Sequence, residues 1–232
     1  MSEVDALKEA VCQANLGLVK EGLVFHTFGN VSGVDRWQGI MVIKPSGVSY
    51  DGMHAGQMAV VSLETGKAAE GCLKPSSDTP THLALYRAFP EIGGIAHTHS
   101  LYATAWAQAK KGIPAFGTTH ADYWFGEVPC TRTLLLNEIA TDYEMNTGKV
   151  IVERFKRLDY LKQPGALVAS HGPFAWGKDP ADAVHHAVVL EYVARLASES
   201  IRLDAALTTM QAELRDKHFL RKHGPNKYYG QG

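Results

Sequence analysis

Apolar positions recur along this chain with two different periods. Over Val4 to Lys20, the spacing of Val4, Leu7, Val11, Leu16 and Leu18 follows a helical stripe. Short apolar runs then alternate with glycine-punctuated polar segments. Leu23 to Phe28, Gly39 to Lys44 and Met58 to Leu63 read as strands, separated by FGNVSGVD, KPSGVSYDG and ETGK. The helical period returns at Thr79 to Phe89, with Pro80 in the first turn and Ser and Asp before it. Ile92 to Thr98 is a short apolar strand that ends in histidines, and Ser100 to Lys110 reads as a helix. GIPAFGTTHADYWFGEVPC is loop-rich and aromatic. Asn146 to Tyr160 predicts a helix, and Ala166 to Ser170 a strand running into His171-Gly172. Asp179-Pro180 opens a long helix to about Leu203, and a last helix runs from about Ala206 to Lys222. No long repeat, low-complexity tract or linker interrupts the pattern. Strands concentrated between helices predict an α/β fold of three layers, α/β/α. A central, mainly antiparallel sheet would be covered by helices, in one domain over residues 1–232.

Composition narrows the partners. Hydrophobic residues make up 45% of 232 positions and charged residues 20%, with a formal net charge of -1. That balance suits a globular core and gives no basic stripe for nucleic acid or membrane surface. No uncharged apolar run approaches the ~20 residues of a membrane span. The start, MSEVDALKEA, is acidic and amphipathic rather than signal-like, so a cytoplasmic protein is expected. Cys12, Cys72 and Cys130 stand far apart and read as free thiols rather than a disulfide set. Histidine, with 11 copies, is the unusual residue.

Three of those histidines fall at strand ends. In GGIAHTHS, alternation puts Ile95, His97 and His99 on one face with Thr98 opposite. Two adjacent imidazoles make half of a metal site. A catalytic zinc commonly takes three protein ligands and keeps one position for water or substrate. ALVASHGPFAWG offers the third ligand, His171, with Gly172 allowing a tight turn. Zinc is the expected ion, and the ligand set also accepts manganese or cobalt. Asp78 reads locally as a helix N-cap before Thr-Pro, with a fourth ligand or a base as the alternative. His82 and His120 are weaker candidates, and His185 and His186 lie within a helix.

Three loops, FGNVS at 28–32, KPSG at 44–47 and KPSS at 74–77, share small residues, backbone N–H groups and hydroxyl or amide side chains. Two add a lysine. A phosphate dianion is bound by such donors together with a positive charge, and Ser76 and Ser77 precede a predicted helix, whose dipole favours an anion. None is a nucleotide-binding glycine loop. In TTHADYWFGE, Asp122 sits among aromatic residues, either capping a loop or acting as an acid–base group. The basic tail KHFLRKHGPNKYYGQG is either solvated or docks Arg221, His218 and Tyr229 at an active site, a neighbour's in that case.

These segments carry a resemblance that runs nearly end to end. With TFGNVSGVD, VIKPSGVSYD, KPSSDTPTHLALY, GGIAHTHS, GTTHADYWFGEVPCTR, SHGPFAWGKDPADAVHHAVVLE and DKHFLRKHGPNKYYGQ, the chain resembles the class II aldolase family. THADYWFG and KHGPNKYYGQ are similar to its L-ribulose-5-phosphate 4-epimerase branch rather than to the fuculose- or rhamnulose-phosphate aldolases. The resemblance implies a zinc enzyme that epimerises a small phosphorylated ketopentose by retro-aldol cleavage and re-addition. It assigns His97, His99 and His171 to zinc, with Asp78 as a carboxylate at that metal. Gly29, Asn30, Lys44, Ser46, Gly47, Ser76 and Ser77 match substrate positions, chiefly around the phosphate. Asp122 and Tyr229 match the two acid–base residues, and His218 and Arg221 match tail positions near the substrate. The implied assembly is a cyclic homotetramer whose tail, about 217–232, closes a neighbouring subunit's site. Branch members often carry Trp where Phe28 stands, His at Ala169, and Arg-His at Leu101-Tyr102. A sugar-phosphate aldolase or dehydratase on the same scaffold, or a non-catalytic adducin-like module, are the alternative readings.

Overall fold

A computed structural model describes residues 2–225, 227 and 228. Its first element is helix α1 (Glu3–Lys20), started by a reciprocal capping box between Ser2 and Asp5. The helix stops where Gly22 takes a φ of 69°, and the Gly22 and Leu23 N–H groups return to the Val19 and Leu18 carbonyls. This double bond satisfies the helix's last acceptors and turns the chain. It also accounts for a shifted strand. Leu23 to Phe28 is not extended pairing chain; Leu23 belongs to the helix stop, and strand β1 is Asn30–Asp35. The expected strands at 39–44 and 58–63 are present as β2 (Ile40–Ile43) and β3 (Ala59–Ser62).

Helix α2 (Thr79–Ala88) leads to β4 (Gly94–His97) and α3 (Leu101–Gln108). The aromatic segment holds a short helix α4 (Thr118–Ala121), followed by α5 (Leu136–Ala140) and α6 (Tyr143–Arg154). Next come β5 (Gly165–Leu167), β6 (Pro173–Gly177), the long α7 (Pro180–Leu203) and α8 (Ala212–His223). The hydrophobic pattern had missed β6. All five of its residues are buried, so it shows no alternation, and its proline sits at the first position, where a strand tolerates one.

The six strands form one sheet in the order β3-β2-β1-β4-β6-β5, and every neighbouring pair is antiparallel. Alternation sorts side chains between two helical layers. Met41, Ile43, Ile95, Phe174 and Trp176 join Leu83, Tyr86 and Ile151 in the core under α2 and α6. Val31, Ala96 and Ala175 face Ala14, Leu18 and Ala183 of α1 and α7. This is the expected three-layer α/β/α arrangement. Small residues on the second face let the helices come close. A side chain at Gly94 would collide with the Asp179 backbone, at the start of α7.

Asn15 ties this scaffold to the site. It is fully buried on α1 and brackets Val31: its Nδ2 donates to the Val31 carbonyl at 3.1 Å, and its Oδ1 accepts the Val31 N–H at 2.8 Å. The bracket fixes the start of β1, and so the position of Asn30 beside it. Asn15→Leu takes the side-chain acceptor from the buried Val31 N–H and leaves the Val31 carbonyl only the longer bond from Lys44 N–H at 3.4 Å, and should destabilise the fold by about 1–3 kcal/mol in chemical denaturation.

Candidate metal centre

The end of the sheet collects the chemistry. On β1 and β4, Asn30 lies directly opposite His97, and on β6 Phe174 lies opposite it on the other side. The His97 ring stacks on Phe174 with centroids 4.1 Å apart, and its Nδ1 lies 2.9 Å from the Pro173 carbonyl oxygen. A carbonyl only accepts, so Nδ1 carries the proton, and in the neutral ring Nε2 keeps a lone pair for a metal. His99 follows just beyond the strand and is exposed. His171 comes from the β5–β6 connection. There the left-handed residue is Ser170, at φ 64°, not Gly172. Gly172 is needed for another reason: a side chain would press on the Thr98 carbonyl beneath it.

The three rings form a triangle with centroid separations of 5.0, 4.8 and 5.2 Å. Their ligand atoms all lie within 4.8 Å of one another. Among the described residues, this is the only group of three or more His, Cys, Asp or Glu side chains placed to hold a metal ion. Burial and the imidazoles of His97 and His99 push His171 down to about 3, against the opposing pull of Asp78. His99, though its edge is open to solvent, is lowered as well by the protein packed around the ring and by His97. Both rings are therefore neutral at physiological pH, the state in which imidazole binds a metal. The donor set fits an ion such as zinc, with room left for substrate oxygen.

Asp78 stands at the cap position of α2, yet its side chain makes no capping bond. Its Oδ2 instead accepts from Asn30 Nδ2 at 2.7 Å. Burial raises its pKa, but the nearby His97, His82 and His171 and the Asn30 bond outweigh that and leave it lowered. The local N-cap expectation thus holds for the backbone and fails for the carboxylate, which is bonded to Asn30 and lines the cavity instead.

Around these groups opens a cavity of about 400 Å³. It is lined by Asn30, Asp78, His97, His99 and His171, and by the loop residues Gly29, Lys44, Ser46, Gly47, Ser76 and Ser77. The two KPS loops lie side by side. Ser46 N–H donates to the Lys74 carbonyl at 2.9 Å and Ser76 N–H to the Lys44 carbonyl at 3.0 Å, bridging Pro45 and Pro75. Lys44 is buried, donates to the Val48 carbonyl at 2.7 Å and lies over the Tyr50 ring. Burial lowers its pKa. Loops that are ordinary turns one by one thus share a wall with the metal cluster.

A second group sits elsewhere on the chain. Asp122 ends α4, and α8 docks against it. His218 Nδ1 is 3.0 Å from Oδ1, and Arg221 Nη2 donates to both oxygens at 3.0 and 3.1 Å. Lys222 Nζ is 3.4 Å from Oδ2. Burial raises the Asp122 pKa, while the His218 and Arg221 bonds and the charges of Lys222 and Arg221 overcome it and keep the carboxylate ionised. Asp122, His218 and Arg221 are absent from the described lining of the metal cavity. Tyr229 lies outside the described residues.

Three other histidines of the sequence reading sit in structural settings. His120 is buried, with Nε2 2.6 Å from the Gly126 carbonyl, and burial pushes it down to about 4. His186 Nδ1 meets the Trp176 carbonyl at 2.7 Å. His82 is buried behind the site rather than in it. The three cysteines are free. Of the departures from the branch pattern, Phe28 lines the cavity and lies 5.9 Å from the His99 ring, whereas Leu101 is exposed and Ala169 buried, both off the lining. Pattern reading overlooked Tyr143 and Glu144, which also line the cavity; the Tyr143 hydroxyl is 3.4 Å from His171 Nδ1. Their signal was the start of α6, which lies at Tyr143 rather than Asn146.

Comparison with known proteins identifies the family and the fold. The model of the class II aldolase and adducin N-terminal domain matches residues 9–198. The L-ribulose-5-phosphate 4-epimerase UlaF of Salmonella paratyphi B is 56% identical over 225 residues, covering 97% of this chain and 98% of that one. In structure, an L-fuculose 1-phosphate aldolase superposes with a TM-score of 0.78 at 23% identity, covering 94% of this chain and 95% of the other. The L-fuculose 1-phosphate aldolase from Glaciozyma antarctica gives 0.74 at 18% identity, covering 94% and 81%. At these identities the superpositions establish the shared fold.

Proposed function

The chain belongs to the class II aldolase and adducin N-terminal domain family, and from that premise we propose that it is a zinc-dependent L-ribulose-5-phosphate 4-epimerase. It would interconvert L-ribulose 5-phosphate and D-xylulose 5-phosphate. One observation carries the reading: three imidazoles and two hydroxyl-rich, lysine-bearing loops open into a single cavity. A metal and a phosphate can be held there a few bonds apart on one small substrate. The 56% identical Salmonella relative, which carries this name, supports the choice among sugar-phosphate reactions.

The reaction explains the parts. The hydrogen on carbon 4 of a 2-ketose is not alpha to the carbonyl, so removing it gains little stabilisation. Breaking the bond between carbons 3 and 4 avoids that step. A base takes the 4-hydroxyl proton, the aldehyde fragment turns its other face, and the bond re-forms with inverted configuration. Zinc held by His97, His99 and His171, with Asp78 beside it, would supply Lewis-acid stabilisation of the negative charge that develops in the cleavage. Asn30 holds Asp78 through Nδ2, and this leaves its buried, unpartnered Oδ1 to accept a substrate hydroxyl. Ser46, Gly47, Ser76 and Ser77, with the charge of Lys44, hold the phosphate and keep the fragment from leaving.

The acid–base pair in this proposal is Asp122 and Tyr229, contributed by an adjacent subunit of a cyclic homotetramer. Asp122, kept ionised by His218 and Arg221, accepts the proton on one face. Tyr229, with an ordinary phenol pKa of about 10, donates on the other. The test is product analysis with L-ribulose 5-phosphate, in the presence of a trap for released aldehyde. D-xylulose 5-phosphate without trapped aldehyde is expected. Net aldehyde release would make the chain an aldolase instead.

A further inference from the structure

Behind the metal histidines lies a buried polar chain that the reaction does not use. Tyr86, Ser32 and His82 are all fully or almost fully buried. Tyr86 Oη is 2.9 Å from Ser32 Oγ, which is 2.7 Å from His82 Nδ1. Ser32 and Asn30 point to the same face of β1, one pleat apart, so this chain sits directly behind the cavity wall. His82 lies one helical turn after Asp78, where residues i and i+4 share a side. The His82 ring meets Phe174 edge-on at 6.0 Å, and Phe174 carries the stacked His97.

Two proton orders are open along this chain. The reverse order gives the buried Tyr86 proton no acceptor; in the other, Tyr86 donates to Ser32 Oγ and Ser32 to His82 Nδ1, which leaves the ring proton on Nε2, one helical turn from the Asp78 carboxylate. Burial pushes the His82 pKa down to about 3 even with Asp78 nearby, and the ring stays neutral. The remaining proton is then on Nε2, and that atom is buried with no hydrogen-bond partner. A buried N–H without an acceptor is costly, and the Asp78 carboxylate, one turn earlier on the same side of the helix, is the acceptor the fold offers.

We propose that His82 is a positioning residue of the metal centre, held as its Nε2–H tautomer by the Tyr86–Ser32 chain so that this N–H serves the Asp78 carboxylate. Asn30 holds one oxygen of that carboxylate from the side. His82 secures it from behind, so that it faces the histidine cluster in one orientation. The inference rests on the metal reading above and concerns zinc retention, not the choice of substrate.

Side-chain amides separate the two nitrogens of the ring. Glutamine places its amide nitrogen near the position of Nε2, and asparagine near that of Nδ1. His82→Gln should therefore keep zinc affinity within about threefold, whereas His82→Asn and His82→Phe should weaken it by about 10–100-fold, the usual effect of losing a group that orients a ligand. Zinc affinity is read by competition with a chelating dye, with thermal unfolding of the metal-free proteins as the folding control. Equal zinc affinity in folded His82→Phe and the parent would overturn the proposal while leaving the metal site intact. Failure of the parent itself to bind zinc would overturn the metal reading as well. The tautomer needs no variant. 15N NMR of histidine-labelled protein should show His82 protonated at Nε2, and protonation at Nδ1 would overturn the proposal even if the substitutions failed to fold.

Discussion

His171→Asn should leave a folded protein that has lost tight metal binding and about 10³-fold or more of its epimerase turnover. The residue sits half-buried in the β5–β6 connection, so the hydrophobic core does not depend on it. Its loss removes one of three imidazoles whose ligand atoms lie within 4.8 Å of one another. Two imidazoles retain an ion far more weakly than three. Lewis-acid stabilisation of several kcal/mol goes with the ion, and each 1.36 kcal/mol is a factor of ten in rate. Metal content by elemental analysis and turnover on L-ribulose 5-phosphate check both halves. A variant with one zinc per chain and undiminished turnover would remove His171 from the site.

The second large effect concerns the groups that one chain does not bring together. Asp122→Asn should lower turnover by about 10²–10⁴-fold, the usual range for a positioned acid–base group, with metal content unchanged. Alone, that loss would not place Asp122 in a neighbour's site. Mixing does. Asp122→Asn chains supply an intact metal cavity, and His171→Asn chains supply an intact Asp122. If sites form between subunits, oligomers reassembled from equal amounts of two nearly inactive variants regain roughly a quarter of parental activity, by random pairing across a cyclic interface. If activity stays near the level of the separate variants, each chain works with its own Asp122. The Asp122→Asn chain also loses its pairing with Arg221 and Lys222, so its melting temperature must be measured alongside.

How far the sequence could be read depended on how local the determining forces were. The helices α1, α2 and α7 follow from periodicity and capping, which are local, and the antiparallel sheet follows from short apolar runs between polar turns. The strand at Asn30–Asp35 was displaced because Leu23 looks like a strand residue and is spent on closing α1. β6 was invisible because both its faces are covered, and burial on both sides erases alternation. At the site, His97 and His99 were legible from the two-residue period of a strand, and His171 from its place at a second strand end. Asp78 was not, because a capping and a non-capping carboxylate look alike in one dimension; what draws it off the helix end is Asn30, 48 residues away, bonded to its Oδ2. Tyr143 and Glu144 depended on a helix start that shifted by three residues. His82 looked like a weak ligand candidate, and only the Tyr86–Ser32 chain behind it gives it a different task.

Zinc titration of metal-free protein tests the central claim most directly. Protein stripped by a chelator is incubated with L-ribulose 5-phosphate while zinc is added in steps and D-xylulose 5-phosphate is measured. No conversion is expected without metal, with a rise in proportion to zinc that levels off at one ion per chain. Full conversion by the stripped protein, or no conversion once every chain holds zinc, would contradict a metal-dependent epimerase site built on His97, His99 and His171.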